Sequence, residues 1–260
     1  MITSHHNPQL KLVRSLAGRA KDRRAAGAYL VEGVRLVEEL LESGQEVDRI
    51  YYSDDASNRA ARLIPRLEGS GIICETVLST VFKTISETET SQGILAVVKI
   101  PLVDAQDTID DDLILVPDQI RDPGNLGTLL RSAVAAGVTR VIIPPETVDP
   151  YAPKVVRSAM GAHFSIKITP LEWDRIQTIL SGYAVFLAAA NGEVGLWHAD
   201  FRSKTAIIIG GEAEGAGSFA KSISKVTVSI PMKGKIESLN AGVAGSIILF
   251  EVMRQRSELK

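Results

Sequence analysis

The chain has 260 residues, 45% hydrophobic and 23% charged, with a formal charge of −2; this suits one large domain or two modest ones and excludes a surface that is basic throughout, though not a local basic patch. The lone cysteine, Cys74, excludes an internal disulfide and argues against a structural zinc site; its strand-like surroundings read as those of a small buried hydrophobe. The first eight residues lack the apolar core of a signal peptide and no apolar run approaches the roughly 20 residues of a membrane span, so a cytoplasmic protein without a membrane partner is expected.

In chain order, a basic helix is predicted over residues 9–26, carrying Lys11, Arg14, Arg19, Lys21, Arg23 and Arg24. A strand near 29–32 follows, then a helix over 34–43 with Val34, Val37, Leu40 and Leu41 on one face. Strands at 47–52, 72–77 and 94–100 alternate with helices at 56–67 and 78–86. Residues 1–100 therefore read as a small α/β unit. Residues 101–112 turn acidic, lose periodicity and end in Asp110-Asp111-Asp112, which reads as a solvated linker. The second unit, 113–260, opens with an apolar strand at 113–116, a polar turn and a helix over 126–136 that stops at Gly137. Further strands fall at 140–143, 184–190, 206–209 and 226–230, before a last helix over 239–256. Short β-branched runs separated by helices indicate a largely parallel sheet covered on both faces.

Three polar turns follow strands of the second unit, where open α/β sheets place their chemistry. In Asp122-Pro123-Gly124-Asn125, proline fixes φ, glycine permits positive φ and asparagine caps the following helix. Arg131 comes early in that helix, and a guanidinium with helix N-terminal amides suits a phosphate; a surface salt bridge is the plainer reading. Gly210-Gly211-Glu212-Ala213-Glu214-Gly215 lacks both the phosphate-loop ending and the dinucleotide glycine spacing, which disfavours ATP and NAD. Glu212 alone is a solvated loop acid as readily as a functional one. At Ile230-Pro231-Met232 the proline stops ladder pairing, and Ser238 is suited to cap the last helix. The four histidines show no metal-ligand spacing, and Trp173 and Trp197 read as packing residues.

Taken together and in this order, residues 122–131, 210–215 and 231–240 resemble the three motifs of the SpoU/TrmH family of RNA ribose methyltransferases. The resemblance covers most of 113–251, and the N-terminal unit, with its Ser91-Gln92-Gly93-Ile94 exit, is more loosely similar to the family's substrate-binding domain. It implies an α/β fold: a C-terminal parallel-sheet SPOUT domain with a deep trefoil knot, preceded by a small α/β substrate-binding domain. It further implies S-adenosylmethionine as methyl donor with no metal, bound around Gly210, Gly211, Ile230, Met232 and Leu239. The polar catalytic set it carries over is Asn125, Arg131, Glu212, Ser238 and Asn240, in a homodimer that places Asn125 and Arg131 beside the methyl donor. Ala216 and Gly217 stand where many relatives have a larger apolar residue and a serine.

The implied reaction is methylation of a ribose 2′-hydroxyl in structured RNA, with ribosomal RNA ahead of transfer RNA. A guanidinium with a pKa above about 12 is a poor base, so Arg131 is read as a phosphate clamp, with Asn125 and Ser238 completing the hydrogen bonds. The basic residues of 9–26 are read as RNA contacts. A catalytically silent RNA-binding relative and an unrelated nucleotide-binding α/β enzyme are the alternatives; the intact polar set disfavours the first and the glycine spacing the second.

Overall fold

A computed structural model of the protein describes residues 1–102, 109–212, 215–234 and 238–257. Ala213 and Glu214 of the second polar turn, and residues 103–108 of the expected linker, lie outside the described residues. The chain divides into two compact units, Met1–Leu102 with Tyr151–Phe164, and Val103–Pro150 with Ser165–Lys260.

In the first unit, α1 (Pro8–Gly18) begins where the Asn7 side chain accepts the Gln9 amide at 2.8 Å and Pro8 fills the first helical position. The single basic helix expected over 9–26 is two helices. Arg19 is extended, and α2 (Ala20–Ala26) ends at Gly27 in the left-handed region. Arg23 accounts for the break: its buried guanidinium donates to the carbonyls of Leu16 (2.6 Å) and Gly18 (3.1 Å), satisfying the end of α1. This arginine is a cap, unavailable to RNA, which corrects the reading of six free cations. Arg14 likewise donates to the His5 carbonyl and the Thr84 hydroxyl.

β1 (Ala28–Glu32), α3 (Val34–Ser43), β2 (Val47–Ser53), α4 (Asn58–Gly69), β3 (Cys74–Val77), α5 (Ser79–Phe82) and β4 (Ile94–Lys99) complete this stretch. The strands order as β1-β4-β2-β3, with β4 antiparallel to both neighbours and β3 parallel to β2. Leu30, Tyr51, Leu95 and Val97 join Leu16 and Phe82 in one core. The helix expected over 78–86 is a single turn, because Glu32 holds the following segment. Its buried carboxylate accepts the Glu87 amide (2.9 Å) and the hydroxyls of Thr88 (2.8 Å) and Ser91 (3.0 Å). Cys74 is half-buried, and burial, with Glu68 nearby, pushes its thiol up to about 11.

Then come β5 (Leu113–Asp118), α6 (Pro123–Ala135), β6 (Arg140–Ile143), α7 (Pro153–Ala159), β7 (Lys167–Pro170), α8 (Trp173–Leu180), β8 (Ala184–Ala188), β9 (Val194–Gly195), β10 (Thr205–Gly210), α9 (Ser218–Ile223), β11 (Val226–Ser229) and α10 (Ala241–Ser257). α7 belongs to the first unit, where it packs on β1, and the Tyr151 ring lies 5.0 Å from that of Tyr29. The other elements build a seven-stranded, wholly parallel sheet in the order β7-β6-β5-β10-β8-β11-β9. The expected α/β class with a parallel sheet is thus the observed one. α7, β7, α8, β9 and α9 had no counterpart in the sequence reading, since elements of two to eight residues are too short for periodicity to mark.

Ile114, Val116, Ala206 and Ile208 pack with Ile176 and Leu180 of α8 on one side of the sheet. α10 packs on α6 and β10. Close approach there depends on Gly245, where an added Cβ would overlap the Leu129 side chain and lie 3.3 Å from Ile209. Trp173 stacks on Phe219 at 6.1 Å, whereas Trp197 is 55% exposed, against the expectation that it packs inside. Among the described residues no helix is long and apolar enough to cross a membrane.

Asp110-Asp111-Asp112, read as solvated linker, is tied to the second unit. Asp111 accepts from the Thr139 hydroxyl and Arg140 Nε, both at 2.6 Å, and Arg140 donates onward to Thr169 at 3.0 Å. Asp110 pairs with Lys204, and the Asp112 carbonyl accepts the Thr205 amide at 2.9 Å. Burial alone would raise the Asp111 pKa, but the hydrogen bonds from Thr139 and Arg140 outweigh it and hold the carboxyl below its ordinary value. Such a carboxylate stabilises the fold above its unfolded pKa of about 3.9, and the benefit is lost as pH falls through the lower folded value. Asp111→Asn is expected to cost roughly 3 kcal/mol at pH 7 by removing the carboxylate charge that faces the buried Arg140 Nε. Urea unfolding should show the gap from wild type closing as pH drops below about 4.

Candidate functional site

The C-terminal ends of β5, β8, β10 and β11 converge on one region, as parallel strands require. Register places Gly210 beside Asp118, so the turns after β10 and β5 leave the sheet side by side. Asp122 caps α6 by accepting the Asn125 amide at 2.9 Å, and Pro123 takes the first helical position. The helix therefore starts three residues earlier than its apolar periodicity suggested, and Asn125 lies in its first turn.

Three of the expected polar residues meet here. The Asn125 carboxamide donates to Glu212 Oε1; Asn240 Nδ2 donates to the same oxygen and to Asn125 Oδ1, both at 2.8 Å. An ionised carboxylate only accepts, so both carboxamides must turn their NH2 groups toward it. Asn240 Oδ1 is left to accept the Val243 amide at 3.2 Å, which makes Asn240, in place of the expected Ser238, the cap of α10.

Beside this cluster lies a cavity of about 490 Å3, lined by Gly210, Gly211, Ile230, Met232, Ser238 and Leu239, among others. All five positions expected to hold the methyl donor border it, as does Ser238. Its volume falls in the range of about 300–1,000 Å3 usual for small-molecule sites. Apolar Leu187, Val228, Leu239 and Ile248 supply flat contact, while the strand ends at Gly210 and Gly211 supply backbone hydrogen-bonding groups. A smaller cavity of about 120 Å3 adjoins it, sharing Gly211, Glu212 and Gly215 and bounded by Gln119, Arg121 and Asn125. Arg131 is exposed on α6 and borders neither cavity; within one chain it does not join the other four.

Two residues to which the sequence reading gave no role shape the loop after β10. Asp118, 1% exposed, accepts the Gly217 amide at 2.7 Å, and burial raises its pKa although that amide opposes the rise. Gln119 adopts a left-handed backbone (φ 56°), uncommon outside glycine, and its carbonyl lies where a Cβ on Gly211 would be. Lys221 and the small run Ala188-Ala189-Ala190 also line the larger cavity. A run of small residues leaving a strand was the one sequence signal available for these.

Residues 7–96 match the MRM3-like substrate binding domain. The chain is 31% identical to the 23S rRNA (guanosine(2553)-2′-O)-methyltransferase RlmP of Bacillus subtilis, over 89% of this chain and 91% of that protein. It is 32% identical to the 23S rRNA (guanosine-2′-O-)-methyltransferase RlmB of Escherichia coli K12, over 88% and 99%. The crystal structure of the SpoU methyltransferase AviRb from Streptomyces viridochromogenes, in complex with the cofactor AdoMet, superposes with a TM-score of 0.84 at 28% identity, covering 97% of this chain and 99% of AviRb. Gly211→Ala, which forces the loop off Gln119, is expected to weaken S-adenosylmethionine binding roughly tenfold by calorimetry, in line with overpacking costs of about 1–3 kcal/mol. Residues 112–250, more than half of the chain, match the model of the SpoU rRNA Methylase family, and the chain belongs to that family.

Proposed function

We propose that this protein transfers a methyl group from S-adenosylmethionine to a ribose 2′-hydroxyl of ribosomal RNA. The observation that carries the reading is the Asn125–Glu212–Asn240 cluster at the edge of a cavity with both apolar and polar walls, in a chain of this family. The match to the SpoU rRNA Methylase family and the likeness to two 23S rRNA methyltransferases favour ribosomal over transfer RNA. In this reading residues 1–100 bind substrate, 101–112 connect, and 113–260 form the catalytic domain in the cytoplasm. The deep trefoil knot belongs to the proposal too; it is supported by the return of α10 onto β10 and α6 after β11 has been laid down on the other side of β8.

S-adenosylmethionine, when bound, supplies an electrophilic methyl group on a sulfonium, so no metal is needed. Gly210, Gly211, Ile230, Met232 and Leu239 hold it. The protein's remaining task is to position the hydroxyl. Glu212 fixes the two carboxamides, and Asn125 presents its polar side chain within the first turn of α6, where helix amides favour an anionic group. Ser238 adds a hydroxyl at the cavity wall. Arg131, whose guanidinium is a poor base, clamps a substrate phosphate, and the 2′ proton is lost late or through solvent.

A homodimer completes the site. Val243, Phe250 and Met253 are exposed along α10 with half-buried Ile247 between them, an i, i+4, i+7, i+10 stripe of apolar side chains facing solvent in one chain. A second copy covering this stripe would bring its own Arg131 to the cluster.

Transfer of labelled methyl to ribosomal and transfer RNA from cells lacking the protein, followed by digestion to 2′-O-methyl nucleotides, tests the reading; label confined to transfer RNA would overturn the substrate, and label in neither the activity. Arg131→Lys is expected to lower kcat/KM at least about tenfold, since an ammonium cannot supply a bidentate fork. Near-wild-type activity would remove the clamp. Phe250→Glu is expected to convert the dimer to monomer in analytical ultracentrifugation and to abolish methyl transfer, by placing a charge in an apolar interface.

A further inference from the structure

We propose that Lys221 recognises the carboxylate of the methyl donor's methionine moiety, a role that rests on the methyl-donor reading of the larger cavity. Among its described lining residues only Glu212 and Lys221 carry charge, and they are of opposite sign. S-adenosylmethionine has matching features: a cationic sulfonium and ammonium, and one carboxylate. Glu212 already accepts two carboxamides on one oxygen and supplies the negative potential suited to the cationic part of the ligand. The carboxylate needs a donor, and Lys221 is the cavity's cation.

Lys221 is available for this work. It is exposed on α9, and no hydrogen bond or ion pair joins its ammonium to a described residue. Asp118 is the acid that feels its charge, but that carboxylate is 1% exposed and spends Oδ2 on the Gly217 amide. Asp118 therefore leaves the three donors of the lysine unoccupied. Ala216, which follows β10, and Lys221 of α9 both line the cavity. A neutral nucleoside would gain nothing from a cation at this wall, so the charge pattern selects an amino-acid-bearing nucleoside.

The test compares S-adenosylmethionine with its decarboxylated form, which keeps the sulfonium and ammonium and lacks only the carboxylate. Calorimetric Kd values are measured for the full-length wild type, Lys221→Ala and Lys221→Arg. The wild type is expected to prefer S-adenosylmethionine by roughly tenfold, the scale of one charge-assisted hydrogen bond. Lys221→Ala should erase most of that preference by weakening S-adenosylmethionine alone, and Lys221→Arg should restore it. Equal weakening of both ligands, or a preference that survives in Lys221→Ala, overturns the assignment. Equal affinity of the wild type for both ligands sinks Lys221 alone, whereas failure of the wild type to bind either removes the methyl-donor reading and this inference with it.

Discussion

One carboxylate oxygen joins three distant stretches of chain. Glu212 Oε1 accepts from Asn125, 87 residues earlier, and from Asn240, 28 residues later. A carboxylate has no proton to give at neutral pH, so its neighbours must both be donors, and this fixes how each carboxamide is turned. The remaining functions of Asn240 follow: its other end caps α10, which sets where the last helix begins and how it meets α6. The polar cluster and the placement of the last helix are therefore coupled through the same side chain.

The cluster is held from behind by backbone geometry that tolerates little change. Parallel register sets Gly210 beside Asp118, and the two loops then leave the sheet in contact. Contact is possible because Gly211 has no Cβ to meet the Gln119 carbonyl, and because Gln119 itself accepts an uncommon left-handed conformation. Asp118 fastens the far end of the same loop at Gly217. Strain and burial that would be costly elsewhere are concentrated where a ligand cavity needs a thin, shaped wall.

The first unit is organised by polar groups serving its own backbone. Arg23 closes α1, and Glu32 gathers the amide and hydroxyls of the 87–91 segment. Both are ionisable side chains at under a tenth exposure, where hydrogen-bond satisfaction is obligatory. The surface offered to RNA is correspondingly smaller than a count of basic residues suggests.

Local chemistry by itself determined much of this protein: the Asp-Pro-Gly-Asn turn, the glycine turn after β10 and five of the seven strands of the parallel sheet, because turn preferences and apolar runs act over a few residues, while Asn125, Glu212 and Asn240 were singled out by the resemblance of their motifs to a family. Tertiary structure alone decided which charges are spent and which are open. Arg23 and Arg131 look alike in sequence, yet one is buried on carbonyls and the other exposed; Asp111 looked solvated and is paired; Lys221, which lies outside every motif, lines a cavity. Burial and partnership of a charge depend on residues tens of positions away brought close by the sheet, and no window along the chain contains them.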